Sequence, residues 1–454
     1  MKQILVIGAG ASGLMAAAAA AGSGAQVCVL EGMKKPGRKL LLTGNGRCNL
    51  TNMDPGLTNA FHSCEAADAR CFAETVIGTD GREKTLSFFS DLGLDIVEKS
   101  GYVYPRAEQS GAVLQCLLGE LYRLGVKMHY DAGVRSLSFD PTAEKWTASV
   151  DGWHYEGDRV ILCCGSKAVP STGSDGSGYA LAAALGHKIV PVFPALTAIC
   201  CPDPDLNLLA GARTRARIRL YRKNHGAGDD SLHFESFSFS PVSAAKKTRP
   251  VRLLCPDLPD SDPRRIASET GEVQWTPGEI SGIPAFQISR YVSDPGERSS
   301  FVLNVDFLPE YEESALARRL ENVFFTFGRN GSLKTVLNGL VHDRAAAFLL
   351  RKSGLPENAC RSADPKELRR MAAHLAALMK RMVFPISGTR SFEQCQVCRG
   401  GIALSQVNPQ TLESRLHPGL YFAGELLDID GPCGGYNLQW AWSSGMRAGA
   451  AAAK

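Results

Sequence analysis

The stretch from Lys2 to Glu31 constrains this chain more than any other. Gln3 to Ile7 is a short apolar, β-branched run that leads straight into Gly8, Gly10 and Gly13, and this G-x-G-x-x-G spacing opens a helix of small residues from Leu14 to Ala21. Gly24 ends the helix, and a second apolar run, Gln26 to Leu30, finishes in Glu31. Gly8 permits the tight turn, Gly10 lets the backbone approach a phosphate, and Gly13 lets helix and strand pack closely. The free amides around Ala11 and Ser12, at the positive end of the helix dipole, receive a pyrophosphate. A carboxylate at Glu31 accepts hydrogen bonds from ribose hydroxyls and repels a 2′-phosphate. A glycine triplet alone is weak, but strand, glycine turn, helix, strand and acid in this order predict an adenine dinucleotide on a Rossmann-like α/β domain. The rival is an export signal, a lysine followed by alanine-rich sequence; the three glycines interrupt its apolar core and leave Glu31 unexplained.

The 454 residues exceed one ordinary core, so two or three domains are expected. A formal charge of +4 argues for neither nucleic acid nor a membrane surface, and no apolar run reaches the roughly 20 residues of a membrane helix. The 14 cysteines are scattered, with adjacent pairs at Cys163-Cys164 and Cys200-Cys201, and follow no disulfide framework. A reduced, cytoplasmic setting is expected.

After Glu31 the chain runs through Gly37-Arg38-Lys39 to Thr43-Gly44-Asn45-Gly46-Arg47-Cys48-Asn49-Leu50-Thr51-Asn52. So many Gly, Asn, Thr and Arg residues form no core element. Beside a dinucleotide unit, a loop full of amide and hydroxyl donors suits a flat heteroaromatic ring edged with carbonyls. This run resembles the signature of the BaiN-like flavoproteins, also known as the aminoacetone oxidase family. The far end agrees, with Gly419 to Gly431 around Tyr421-Phe422-Ala423-Gly424-Glu425, followed by Gly434-Gly435-Tyr436-Asn437-Leu438-Gln439. The resemblance covers essentially the whole chain. It implies FAD as cofactor, a two-dinucleotide-binding-domain type of flavoprotein fold, and oxidoreductase activity.

Thr85 to Tyr130 reads as helix, short strand pair, helix, strand. Tyr102, Tyr104 and Arg106 lie in a segment that in the resembling family sits beside the flavin, and they are candidates for lining a substrate cavity. The resemblance also puts the backbone of Val134 against the adenine. Trp146 to Val150 and Trp153 to Tyr155 form a hairpin closed by Asp151-Gly152. Arg159 to Cys164 is a buried parallel strand ending at Gly165, where backbone passes the cofactor; Cys164 stands where the family usually has Thr.

From Pro191 the texture turns to prolines, turns and short β-rich runs, which predicts an inserted, mainly β domain over 191–309. A helical section is expected over 310–384, and the FAD-binding domain, begun over 1–190, resumes over 385–454. Arg213, Arg215, Arg217 and Arg219 alternate onto one strand face, which reads as a solvated face or, failing that, an anionic site. Pro277 occupies the place of a family histidine, so no role built on that histidine carries over.

The chain returns to the first domain with a strand expected around Arg390 to Val397. Cys395-Gln396-Val397-Cys398 has redox-disulfide spacing, yet such pairs normally place the first cysteine in a turn and the second at a helix N-terminus. These two instead alternate toward Gly400-Gly401, which favours packing. Tyr421 to Glu425 is the last parallel strand, delivering Gly424 and Glu425 to the cofactor. A closing helix from Asn437 to Ala453 follows, and the amides of Tyr436, Asn437 and Leu438 at its start suit the N1 and O2 edge of a flavin. Cys433, in the loop before it, is a further candidate contact.

The expected function is hydride transfer between flavin N5 and a small organic substrate, with NADH or NADPH as transient electron donor bound without a domain of its own. No catalytic acid or base and no metal ligand stands out, and no membrane or nucleic-acid partner is expected. The sequence carries no sign of oligomeric state. Two alternatives remain: a flavin-dependent protein modifying nucleic acid such as tRNA, favoured by the arginine strand, and a redox sensor built on Cys395 and Cys398.

Overall fold

Burial of every residue from Ile4 to Ile7 explains why the first strand is uniformly aliphatic: a parallel strand is covered on both faces and alternates with nothing polar. This strand, β1 (Gln3–Ile7), is followed by α1 (Ala11–Gly22) and β2 (Gln26–Leu30). The computed structural model describes residues 1–65, 69–223, 235–236, 252–254, 261–328 and 331–454. They divide into two units, Met1–Ala195 with Ser391–Lys454, and Leu196–Arg390.

The first unit is built on a five-stranded sheet that adds β3 (Lys127–His129), β4 (Arg159–Leu162) and β5 (Leu420–Phe422) in the order β5-β4-β1-β2-β3. Every neighbouring pair is parallel, with Ile4 level with both Val27 and Arg159. This is the Rossmann-like arrangement expected from the sequence. The chain leaves β1 for β2 on one side and later fills β4 on the other. The order therefore reverses at the carboxyl end of β1, where open α/β sheets hold their ligands. Helix α2 (Tyr436–Ala452) closes the unit. A small antiparallel sheet of Thr51–Asn52, Tyr102–Pro105 and Ile96–Lys99 borders it, and Val134–Asp140, Lys145–Val150 and Trp153–Gly157 form a second.

The return strand differs from expectation. It spans Val397–Ile402 and pairs with Ile189–Ala195, while Phe392–Gln394 is a 3-10 turn that leaves Cys395 outside the strand. Gly400 (φ 84°) and Gly401 (φ 141°) take conformations that other residues rarely adopt and fit inside the strand rather than ending it.

The second unit has a nine-stranded sheet, antiparallel throughout, whose middle strands are Phe301–Asp306, Arg213–Arg222 and Arg265–Thr276. Helices Ile283–Val292, Glu313–Val323, Asp343–Ser353 and Pro365–Arg381 share its core, where Trp275 stacks on Phe307 and Phe348 on Phe384. The four arginines do share one strand face. Arg213 meets Glu272 across the ladder, Arg217 meets Thr270, and Arg219 reaches Asn304 and the buried Asp306. Among the described residues, no helix is long and apolar enough to cross a membrane.

Helices α1 and α2 pack backbone to backbone. A Cβ on Gly445 would lie 2.5 Å from the Ser12 carbonyl oxygen, and one on Gly449 would lie 2.2 Å from that of Ala16. Gly449→Ala therefore forces the helices apart and is expected to cost about 1–3 kcal/mol, read as a lowered denaturation midpoint. Gly22→Ala, at an exposed site with nothing within 4 Å of the added carbon, is the matched control; its expected effect is between zero and a gain of about 1 kcal/mol.

Candidate functional site

The glycine turn after β1 is as tight as its spacing predicts. Gly8 has φ 103° and donates to the Leu30 carbonyl at 2.8 Å; a Cβ there would strike the Cys163 carbonyl oxygen at 2.6 Å. A Cβ on Gly13 would meet the Gly8 carbonyl oxygen at 1.9 Å. At Gly10, by contrast, nothing lies within 4 Å of the position a Cβ would take. Gly10 is the N-cap of α1 and no side chain caps the helix, so the amides of Ala11, Ser12 and Gly13 have no local side-chain acceptor. Glu31 folds back on this turn, its carboxylate accepting from the amides of Ala9 at 2.6 Å and Met33 at 2.8 Å. Burial raises the Glu31 carboxyl above its ordinary value, and the two amides counter that shift in part. Ala132 donates to the Glu31 carbonyl at 2.8 Å, which brings the start of the Val134 strand alongside.

A second uncapped helix start lies at the same edge. Gly435 (φ 96°) is the N-cap of α2, again without a side-chain cap, and its own Cβ would collide with the Thr51 carbonyl oxygen at 2.5 Å. Since Gly445 faces Ser12 and Gly449 faces Ala16, the helices run parallel, and α2 begins about 12 Å farther out along its axis than α1. Asn437 does not aim its side chain outward; it holds the preceding loop by bonding both the amide and the carbonyl of Gly431 at 2.8 Å. The Tyr436 hydroxyl donates to Asp54 at 2.8 Å, and burial together with that carboxylate raises its pKa. Leu438 is partly buried against the core.

The polar loop closes the space between these helix starts. Gly44 and Asn45 are left-handed, Gly46 has φ 83° and Cys48 φ 60°, an irregular run in which the amides of Arg47 and Cys48 donate back to the carbonyls of Gly44 and Thr43. The Thr43 hydroxyl is spent on the Leu40 carbonyl at 2.7 Å. Arg47 lies over the Tyr104 ring, 5.2 Å from its centroid. Cys48 is fully buried, which pushes its thiol up to about 12. The Asn49 side chain accepts from Val103 at 3.3 Å and faces Gly435. Lys39 pairs with Glu425 at 2.5 Å, and Ser166 donates to the same carboxylate at 2.9 Å. Gly165 (φ 73°) and Gly424 (φ 76°) let the β4 and β5 loops pass close to Ser174 and Ser12. Gly434 lies under the Tyr102 ring.

Arg106 stands apart from this group: it is paired with Asp95 and two-thirds exposed. Cys433 reaches Gln396 at 3.8 Å. Sequence reasoning missed several residues that hold the loops. Trp440 donates to the Gly424 carbonyl at 2.9 Å and Trp442 to that of Leu50 at 3.0 Å. Asp428, fully buried, accepts from the Ser63 hydroxyl at 2.6 Å and the Cys64 amide at 3.0 Å. Two tryptophans one turn into an otherwise small-residue helix were the one available signal.

Two parallel helix starts and a glycine turn at the carboxyl edge of a parallel sheet are an arrangement suited to a dinucleotide, and the family and the reductase described below place the chain in the class of the FAD-dependent oxidoreductases. A family model described as the HI0933-like protein Rossmann domain matches residues 2–451. The chain belongs to that family. It is 39% identical to the 3-dehydro-bile acid delta(4,6)-reductase of Clostridium scindens over the full length of both chains. It is 27% identical to the ribosomal RNA dihydrouridine synthase of Escherichia coli, across 97% of this chain and 95% of the relative. Among solved structures, the 3-ketosteroid-delta4-(5alpha)-dehydrogenase of Rhodococcus jostii RHA1 matches with a TM-score of 0.47 at 15% identity, covering 100% of this chain and 97% of the other.

The Tyr436 to Asp54 bond joins the start of α2 to the loop after Asn52. Tyr436→Phe is expected to lower stability by about 1–2 kcal/mol, and in a double-mutant cycle with Asp54→Asn the two losses fall short of additive. Additive losses would show that the bond contributes nothing.

Proposed function

We propose that this chain is an FAD-dependent reductase of a carbon–carbon double bond conjugated to a ketone, in a small and largely apolar molecule, with NADH or NADPH as electron donor. The observation that carries the reading is the 39% identity, without gaps in coverage at either end, to a 3-dehydro-bile acid delta(4,6)-reductase. The residues present fit the cofactor. Gly8, Gly10, Ala11, Ser12 and Gly13 would take the pyrophosphate in the open space at Gly10, Glu31 the ribose, and the backbone of Val134 the adenine. Lys39, Thr43, Asn45, Gly46, Arg47, Cys48 and Asn49, with Gly165, Gly424 and Glu425, would surround the ring system. Gly434, Gly435, Tyr436, Asn437 and Leu438 would meet its far edge, and the stagger of the two helix starts suits a cofactor stretched between them. When bound, the flavin supplies hydride transfer at N5. The chain contributes orientation, exclusion of water by the buried loops, and two helix dipoles that favour negative charge at the site. A reducing cytoplasm suits the cysteines of the described residues, which form no disulfide.

The alternative of an RNA-modifying enzyme draws on the Escherichia coli relative and on the arginine strand. It ranks second, because Arg213, Arg217 and Arg219 are engaged by Glu272, Thr270 and Asp306 on their own sheet.

The test is an anaerobic absorbance titration of the yellow protein with NADH and then NADPH, followed by a 4,6-dien-3-oxo bile acid. Bleaching by a nicotinamide and recovery of the oxidised spectrum on adding the dienone are the expected results. Reoxidation by uridine-containing ribosomal RNA and not by the dienone would move the reading to nucleic acid. In Gly10→Val the fold is expected to persist, with an unchanged circular dichroism spectrum, while FAD retention drops roughly tenfold or more as the side chain fills the phosphate space.

A further inference from the structure

Behind the Lys39–Glu425 pair lies a group of side chains that the reading above does not use. Cys395 and Cys398 are both buried, packed with Ala168 and flanked by Val192 and Phe392. Cys395 follows the 3-10 turn Phe392–Gln394 and its thiol reaches the Phe392 carbonyl at 3.5 Å, while Cys398 is the second residue of the strand Val397–Ile402. The step from turn to strand leaves the two side chains packed in one cluster and interacting across only two intervening residues. Cys398 also interacts with Ser166, whose hydroxyl donates to Glu425 at 2.9 Å, and with the ammonium of Lys39. Lys39 and Glu425 are each about one-fifth exposed, so the thiols sit one side chain behind a surface that a small molecule reaches. The contact between the two sulfurs lowers Cys398 from the ordinary thiol value and raises Cys395. The two thiols are thus made unequal, as an attacking and a resolving thiol are.

We infer that Cys395 and Cys398 form a peroxide-oxidisable dithiol whose closure to a disulfide rearranges the Ser166–Glu425–Lys39 network beside the proposed cofactor loops. In the first step the Cys398 thiolate attacks one oxygen of hydrogen peroxide, the O–O bond breaks, and Cys398 sulfenic acid and hydroxide are formed. In the second, the Cys395 sulfur attacks the Cys398 sulfur, the S–O bond breaks as the S–S bond forms, and the departing hydroxide leaves with the Cys395 proton as water. With the first hydroxide also protonated, two thiols and one peroxide give one disulfide and two waters; each cysteine loses one electron and the peroxide gains two.

Trypsin cuts after Arg390 and Arg399, so both cysteines fall in one peptide, Ser391 to Arg399, that contains no other. The FAD-loaded full-length protein is treated with stoichiometric hydrogen peroxide, blocked with iodoacetamide under denaturing conditions and digested without reductant. The expected product is this peptide lighter by two hydrogens and closed to alkylation, formed roughly tenfold or more faster than the buried Cys163 and Cys360 are lost. In Cys395→Ser, Cys398 stops at the sulfenic acid and is trapped by dimedone. If the peptide still takes two alkyl groups after the exposed Cys64 and Cys71 have been oxidised, the inference is overturned. The wild-type peptide decides this even where the variant fails to fold, and its mass is read independently of any reductase activity.

Discussion

The backbone contact between α1 and α2 is the constraint on which the rest of the first unit depends. Alanines, glycines and serines on the facing surfaces remove the side-chain layer that normally separates helices, and the contact fixes axial position as well as distance. Axial position matters here because each helix presents an uncapped start at the same edge of the sheet. Sliding α2 by one turn would move its free amides about 5 Å relative to the glycine turn. Trp440 and Trp442 then transmit that position outward, since each indole holds the backbone of a different loop, at Gly424 and at Leu50. The helix pair acts as a gauge block for loops that have no regular structure of their own.

This explains which parts of the molecule were legible in the sequence. The parallel sheet was, because strands covered on both faces must be continuously aliphatic and because glycines at Gly8, Gly10 and Gly13 have few other uses. The arginine strand was legible for a different reason, its period of two. The return strand was misplaced by several residues, since Cys395 to Cys398 has an apolar, alternating texture compatible with a strand. The 3-10 turn before it depends on main-chain geometry and carries no composition of its own. The anchors Asp54, Asp428 and Ser166 were invisible for a different reason. Each is a common polar residue in a loop, and its importance lies in a partner far away in sequence: Tyr436 for Asp54, Ser63 for Asp428, Glu425 for Ser166. Periodicity reads contacts within an element and says nothing of contacts between loops.

The carboxylates of the site show how it is poised electrostatically. Glu31 loses hydration, which two backbone amides and the charge of Arg38 offset only in part, so it is a partly buried acid whose proton affinity is raised. In the proposed dinucleotide complex, hydroxyl donors from a ribose would restore part of what burial removed, and ligand binding and ionisation of Glu31 would favour one another. Glu425 is in the opposite situation, held by the Lys39 ammonium and the Ser166 hydroxyl before any ligand arrives. The two acids are therefore set differently: Glu31 stands at the glycine turn, held by backbone amides, while Glu425 serves as a fixed strut between the loops after β4 and β5 and the Lys39 segment. Because Ser166 also touches Cys398, the sulfur chemistry inferred above would act on the strut rather than on Glu31 and its two amides.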